Sequence, residues 1–422
     1  MNASRARHLS TYLLGLAVVI FCVALVVYPK PGFEAGIAGL RVFWDVVFPS
    51  LLPFFILSEL MLGLGVVHGL GILLEPLMRP LFSVPGIGAF ALSMGLAAGY
   101  PMDAVITARF RESGMCTRIE GERLLAFTNT ADPLFMISAV AVGMFKSPEL
   151  GILIAVAHYI AAFVVGVSFK FWGRGKGETP KAETRAPGNL FIRALREIPR
   201  ARAEDGRPFG KLLREAVTES MMTLFMICGF IVFFAVMIEI LHLSGILTLL
   251  GLPVAAIYHL LGVHSGLVNS TLAGLLEIDI GSAQAAAVAN APLLQRVAVV
   301  SGIIAWSGLA VHAQVASVIT NTDIRMFPYF LARFAHGVLA AILTLALWAL
   351  GLGKPASAAL TQSVPVFASF RAASQGAPWW QVMALSLTTW VWLFGGLLLL
   401  SVVVYLLRKT RIIAWRVKMR RV

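Results

Sequence analysis

AFALSMGLAAGYPMDA at residues 89–104 and LVNSTLAGLLEIDIGSA at 267–283 carry one pattern, an apolar segment interrupted by turn formers. Gly95-Leu96 in the first answers to Gly274-Leu275 in the second at an offset of 179 residues, and Val84 answers to Val263 at the same offset. Further along, the polar break FTNTADP at 127–133 falls where the second copy has WSGLAVHAQ at 306–314. Polar-interrupted apolar segments in corresponding places of two halves of a membrane protein mark a transport site. The repeat therefore points to a solute pathway through lipid.

Composition agrees. Of 422 residues 59% are hydrophobic and 13% charged, with a mean hydropathy of +0.85. Such apolar stretches are too long for a soluble core and imply an all-α polytopic membrane protein, one membrane domain with two related halves. The formal charge of +13 lies in short segments flanking the apolar spans, so topology accounts for it and nucleic acid is not an expected partner. Cys22, Cys116 and Cys228 stand apart without CxxC spacing, so neither a disulfide framework nor a metal centre is indicated, and no cofactor is expected. The stretch Tyr12 to Tyr28 after Arg5, Arg7 and His8 resembles a signal peptide but lacks a small-x-small cleavage site. It reads as a retained first helix.

Spans of ~20 apolar residues are read at 10–29, 43–67, 122–145, 149–171, 217–242, 295–320, 327–350 and 383–407, eight crossings in all. Two more apolar segments, 84–107 and 263–287, are broken by GYP at 99–101 and EIDIGS at 277–282. They read as re-entrant helical hairpins, whose irregular backbone needs protein or a wet cavity around it. Segments 68–82 and 244–262 fit interfacial helices or an additional crossing pair. The organisation is then an N-terminal helix (1–35), a first repeat (36–171), a basic linker (172–215), a second repeat (216–350), an external loop (351–382) and a C-terminal helix with a basic tail (383–422).

Positive charge orients this chain. Arg5 and Arg7, the loop with Arg79, Arg109, Arg111, Arg118 and Arg123, the linker, and the seven basic residues after 407 all belong in the cytoplasm, with both termini. KSPE at 146–149 and the stretch 351–382, with only Lys354 and Arg371, belong outside. The second span then enters from outside and its partner, the fifth, from the cytoplasm. The repeats are inverted, the arrangement on which alternating access is built.

Polar residues at membrane depth are costly and point to function. Thr128, Asn129, Thr130 and Asp132, ahead of Pro133, interrupt the third span. Pro133 frees a carbonyl there, and the neighbouring side chains can satisfy either the unwound backbone or a ligand. Ser307, Gly308, His312 and Gln314 make the matching break. Gly99, Tyr100, Pro101 and Asp103 combine a turn, an aromatic face and a carboxylate ahead of a helix whose first amides favour an anion. The second hairpin offers Asn269, Ser270, Thr271, Glu277, Asp279 and Ser282. Substrate contacts are expected from Gly99, Tyr100, Thr128, Asn129, Thr130, Asn269, Ser282, Ser307 and Gln314. Asp103, Asp132, Glu277, Asp279 and His312 are the candidates for coupling a proton or sodium. Structural alternatives stand beside each: a kink at Pro133, a dipole-complementing Asp103, a helix starting at Ser282, a satisfied core His312. Glu59 and Glu239, at similar places in the two halves, either pair with arginine or line a cavity.

Enzyme motifs are poor. GRGKGET at 173–179 lacks the spacing and strand of a phosphate loop, and no HExxH, GxSxG or dinucleotide fingerprint is present. Ser307 and His312 imitate a hydrolytic pair, but five residues along one helix do not set the bond between them.

FPSLLPFFILSELMLGLGVV at 48–67, LLEPLMRPLFSVPGIGAFALSMGLAAGYP at 73–101 and ERLLAFTNTADPLFMISAVAVG at 122–143 resemble the sporulation integral membrane proteins of the YlbJ or SpoVV family. The resemblance covers roughly 36–350 and is more specific in the first half. It implies a pair of nucleoside-recognition, or Gate, domains related to concentrative nucleoside transporters. It also implies transport of dipicolinic acid from the mother cell across the outer forespore membrane, if the source sporulates. Where the family pattern leads one to expect an uncharged residue after GYP, this chain has Met102-Asp103, a carboxylate beside the turn. A nucleoside or ion permease is the competing expectation, an intramembrane hydrolase a weaker one. The expected partners are a small organic anion, a coupling cation and the lipid bilayer; a homo-oligomer is left open.

Overall fold

Glycine and proline punctuate an otherwise apolar chain, and several helices end at them, at Gly65, Gly99, Gly245 and Gly262, while Pro53, Pro76, Pro80 and Pro199 lie within helices. The computed structural model describes residues 3–133, 135–173, 190–352 and parts of 384–406, with no strand among them. In the first half α1 (Ala3–Val27) and α2 (Pro29–Val42) form a pair bent by 103°, and α3 (Phe48–Gly63) and α4 (Val66–Phe82) a second pair bent by 85°. The second bend needs Gly65, whose φ of +79° is a conformation few side chains adopt. The first hairpin is α5 (Gly88–Ala98) and α6 (Met102–Glu112); α7 (Arg118–Thr128), a π-helical segment Phe135–Met144 and α8 (Glu149–Phe169) follow. α9 (Leu190–Asp205) leads to the second half. This comprises α10 (Phe209–Leu243), α11 (Ile246–Leu250), α12 (Leu252–Leu261), the hairpin α13 (Val268–Leu276) and α14 (Ile278–Ala287), α15 (Leu293–Trp306), α16 (Gly308–Val318) and α17 (Met326–Ala349). Near the 179-residue offset the second series parallels the first. α11 with α12 answers to α4, hairpin to hairpin, α15 to α7 and α17 to α8.

Breaks and bends divide several of the expected spans. Among the described residues four helices are long and apolar enough to cross a membrane, or six if each bent pair is one span, against the eight read from hydropathy. The difference arises because the stretch 43–67 turns at Gly65 and 122–145 breaks after Thr128, while 383–407 is described only in part. Segment 68–82 is helix α4, and 244–262 forms the short α11 and α12. The linker is partly helical. Its 190–205 portion is a helix, whereas 174–189, most of the 351–382 loop and the tail after 406 lie outside the described residues.

Each hairpin lies against the break of its own half. A Cβ on Gly95 would fall 2.2 Å from Thr128 O, and one on Gly308 would fall 3.1 Å from Leu276 O. The Trp306 indole Nε1 donates to Leu275 O at 3.0 Å. The two arms of the second hairpin touch backbone to backbone, since a Cβ on Gly281 would lie 2.1 Å from Gly274 Cα. The repeated glycines that open the sequence pattern are therefore packing positions.

The arginines that orient the chain gather in one layer. Thr117 and Glu120 form a reciprocal cap at the start of α7. Arg79 bonds Glu75 at 2.6 Å and Glu120 at 2.7 Å, and buried Arg123 donates to Ser83 O at 2.7 Å and Trp172 O at 2.8 Å. Three pairs tie the halves together: Arg111 to Asp323 at 2.6 Å, Arg325 to Glu122 at 2.7 Å, and Arg109 to Glu219. Arg109 also holds Glu59 at 3.2 Å, so that glutamate pairs with arginine as one alternative had it.

α9 seats against the glycine face of the α3–α4 bend. A Cβ on Gly65 would meet Ile198 O at 2.4 Å, and one on Gly69 would meet Ile198 Cγ1 at 2.7 Å. At its end Asp205 accepts from Arg207 Nη2 at 2.6 Å and Arg202 Nη1 at 2.9 Å. The hydrogen bonds from Arg207 hold the Asp205 carboxyl below its ordinary value.

Replacing Gly95 or Gly281 with Ala is expected to lower stability by about 1–3 kcal/mol through overpacking, read as a lower unfolding midpoint in detergent. Gly229→Ala, with no atom within 4 Å of the new Cβ, is the neutral control. Because the carboxyl of Asp205 is lowered in the folded chain, its contribution is present above the unfolded value and lost as pH falls through the folded one. The protection of 190–205 against hydrogen exchange, relative to the intrinsic rate at each pH, should stay constant from neutral pH down to about 4 and fall only below it; Asp205→Asn should remove that acid step.

Candidate functional site

Backbone groups freed at membrane depth need partners from the protein, and the first break has them. After Thr128 the chain is extended, with Asn129 at φ −72° and ψ 90°. Arg333 on α17 donates from Nη2 to Ala126 O at 2.5 Å and from Nη1 to Asn129 O. On α8 the His158 Nε2 accepts from Ala131 N at 3.1 Å, and the Tyr159 hydroxyl donates to Ala131 O at 3.0 Å. Asp132 Oδ1 then accepts from Phe135 N at 2.8 Å, which starts the next segment. Arg333, Asn129 and His158 are fully buried. One half's unwound strand is thus pinned partly by a guanidinium from the other half.

From this strand a polar chain runs to the second break. Buried Asp103 accepts from Asn129 Nδ2 at 2.9 Å and from Thr128 Oγ1 at 3.0 Å. The Tyr329 hydroxyl donates to Asn129 Oδ1 at 2.9 Å and lies 3.4 Å from Ser307 Oγ. Ser307 and Gly308, both at φ +67°, separate α15 from α16. His312 follows with Nδ1 2.7 Å from Gly308 O, its ring 4.3 Å from that of Trp306 and 4.9 Å from that of Tyr329. Asp103, Thr128, Asn129, Ser307 and His312 are therefore brought together, with Tyr329 between the two breaks.

A second group lies on the hairpin side. The buried hydroxyl of Tyr100 has no hydrogen-bond partner and sits in the field of Asp279, Asp132 and Glu277. A Cβ on Gly99, at φ +74°, would approach Asp132 Oδ2 to 3.0 Å, so the first turn and the first break touch. Glu277 and Asp279 line a cavity of about 430 Å³ with Glu239, His242 and Gln284, walled by α2 and α10. Glu239 thus lines a cavity, where Glu59 pairs with arginine. Glu277 also caps α14, accepting from Ile280 N at 2.9 Å. That helix begins at Ile278, not at Ser282 as one alternative had it.

Not every expected residue joins these groups. Asn269 is exposed on α13, because its neighbours Val268 and Ser270 take the packed positions. Thr130 bonds back to Thr128 O at 3.4 Å. Ser282 is fully buried with its hydroxyl unpartnered, and Gln314 is buried on α16. Among the described residues no cluster of metal-ligating side chains occurs. Attention to the polar breaks passes over Arg333, Tyr329, His158 and His336. Their signal was present in FLARFAHG at 330–337, because an arginine and a histidine inside an apolar span are as costly as any break.

The site joins cationic and anionic parts. Arg333 carries one buried positive charge with Nε unpartnered. Asp103 is separated from it by the Asn129 amide, while Asp132, Glu277 and Asp279 lie toward the cavity. Tyr329→Phe would leave Asn129 Oδ1 without its donor, at an expected cost of about 1–3 kcal/mol. Arg333→Met strips two carbonyls and should lower the unfolding midpoint further.

No family model matches the chain, and no solved structure matches it. It is 41% identical over 348 residues to the sporulation integral membrane protein YlbJ of Bacillus subtilis (strain 168), which covers 82% of this chain and 84% of that protein. That extent runs well beyond the hairpins and breaks described above. The chain belongs to the YlbJ family of sporulation integral membrane proteins.

Proposed function

We propose that this integral membrane protein is a transporter of a small organic anion and not an enzyme, with dipicolinate moved across the outer forespore membrane as its substrate. The observation that carries this reading is Arg333, a fully buried guanidinium where two broken spans meet, holding one break by two carbonyls and leaving Nε free. An intramembrane arginine so placed supports an anion as ligand. The sporulation context rests on the YlbJ relative, and the choice of dipicolinate on the resemblance read from the sequence. A planar dicarboxylate suits Arg333 together with the first amides of α6 and α16, with Tyr100 or Trp306 against its ring. Thr128, Ser307, Gln314 and Ser282 supply hydrogen bonds.

Asp132, Glu277 and Asp279 repel a dianion unless they carry protons or sodium. Movement of the anion is thereby joined to that of a cation, with Asp103 and His312 as further coupling groups. Access alternates between the faces of an inverted repeat, both termini being cytoplasmic. In this reading the three cross-half ion pairs form the closed face and the cavity serves the other. Glu219 in the ion-pair layer and Glu239 in the cavity are ~30 Å apart along α10 at the helical rise.

Asn129 bears on the nucleoside alternative. Its amide is already engaged at both ends, Nδ2 with Asp103 and Oδ1 with Tyr329, which leaves one N–H and one lone pair for a base and not an unengaged amide edge. The hydrolase alternative has less support. Ser307 Oγ donates to Trp306 O at 2.6 Å and His312 turns to Gly308 O, so neither group activates the other.

Uptake of labelled dipicolinate into proteoliposomes tests the proposal. Wild type is expected to exceed empty liposomes, with Asn129→Ala weaker and Arg333→Gln reduced about tenfold or more, a loss of ~1.4 kcal/mol. Glu277→Gln should alter the dependence of uptake on the cation gradient. Uptake no greater than in empty liposomes, or strong competition by nucleosides, would overturn the assignment.

A further inference from the structure

Two buried imidazoles at the site each keep one ring nitrogen without a partner. His158 on α8 and His336 on α17 are both fully buried, and their rings lie 4.5 Å apart where the two helices cross. α8 and α17 are counterparts in the two halves, and the position answering to His158 is Gly337, next to His336. The pair therefore sits close to where the halves exchange places.

Their hydrogen bonds fix complementary tautomers. His158 Nε2 accepts from the Ala131 amide at 3.1 Å, so in the neutral ring its proton is on Nδ1. His336 Nε2 lies 2.9 Å from His158 O, a carbonyl that can only accept, so this nitrogen carries the proton and Nδ1 is a bare lone pair. Both Nδ1 atoms are buried and without a partner, one a donor and the other an acceptor. Such a pair has room for one more proton, on His336 Nδ1, without breaking the bond that holds Ala131.

The groups around the rings decide what that proton does. Arg333 acts on both rings, and Asp132 faces neighbouring Tyr159. Asp103 and His312 lie beyond Arg333. The ionisable residues of α4 and α7, namely Glu75, Arg79, Glu120, Glu122 and Arg123, belong to the ion-pair layer. From α15, Arg296 turns to Ala286 O. A proton on either ring thus places a second positive charge beside Arg333. Alone that is unfavourable; with a dianion bound, two positive charges meet two negative ones.

We propose that His158 and His336 form a proton-carrying dyad that supplies the second positive charge for a dicarboxylate, making the transporter a proton–dicarboxylate symporter. This rests on the organic-anion reading and names its coupling ion and the residues that carry it. A proton from water on the entry side adds to the lone pair of His336 Nδ1 as the dianion reaches Arg333. It returns to water on the exit side when the anion leaves, so no other reactant is needed. His158 keeps its acceptor for Ala131 throughout and is a positioning residue for the break as well as half of the dyad.

The full-length protein in proteoliposomes loaded with a pH dye, given dipicolinate outside, is the functional test. Dipicolinate entry should acidify the lumen and be accelerated by an acidic exterior. His336→Gln and His336→Asn should weaken exchange of labelled for unlabelled dipicolinate, remove its acceleration by an acidic exterior, and lose gradient-driven accumulation down to the level seen with a protonophore. Dipicolinate entry without proton entry, or undiminished accumulation in both variants, overturns the dyad while leaving the anion reading intact. A second measurement does not depend on transport. Nitrogen NMR of histidine-labelled protein, assigned with the same variants and His158→Gln, should show Nδ1–H at His158 and Nε2–H at His336. The opposite tautomers, or two rings that titrate independently, overturn the inference even if no dipicolinate moves.

Discussion

The guanidinium of Arg333 against the carbonyls of Ala126 and Asn129 is the interaction on which the site depends. A helix that stops in the middle of an apolar protein leaves carbonyls with no water to bond them. Placing a cation there solves that problem and creates another, since the cation is itself costly at depth unless its surroundings are polar. The surrounding polar groups are Asn129, Asp103, Tyr329 and Ser307, and they link the two breaks. The backbone defect and the buried charge have a common origin.

The two halves satisfy their breaks differently. In the first, side chains from α8 and α17 bond the unwound strand. In the second, the chain turns within two residues, Ser307 and Gly308, and helix resumes at once. His312 and Trp306 pack over that turn. A repeat that began with equal halves has placed its polar partners on one side and its aromatic wall on the other, which suits a ligand with a charged edge and an apolar face.

Much of this was legible in the chain itself. Glycine spacing and turn formers locate both hairpins and both breaks, because those residues act through local backbone geometry that sequence states directly. The meeting of Tyr100 and Asp132 with Glu277 and Asp279 also follows from the repeat. What hydropathy cannot give is direction within a span. The bend at Gly65 lies inside an apolar run that averages as a crossing, the bend at Tyr28 falls at the end of one, and α9 packs on the surface that Gly65 and Gly69 leave open. Arg333 was hidden for a related reason. Its apolar neighbours make 327–350 an ordinary span on average, and only its position as a single charge sets it apart. Asn269 differs from the other hairpin residues in that it lies exposed while its neighbours on both sides are packed.

The most direct measurement is an experimental structure of the full chain with dipicolinate bound. The account expects a carboxylate within hydrogen-bond distance of Arg333 Nε, between Tyr329 and Ser307, with the Ala126 and Asn129 carbonyls still bonded to the guanidinium. Dipicolinate confined to the Glu277 and Asp279 cavity, or an Arg333 turned out of the break, would contradict it.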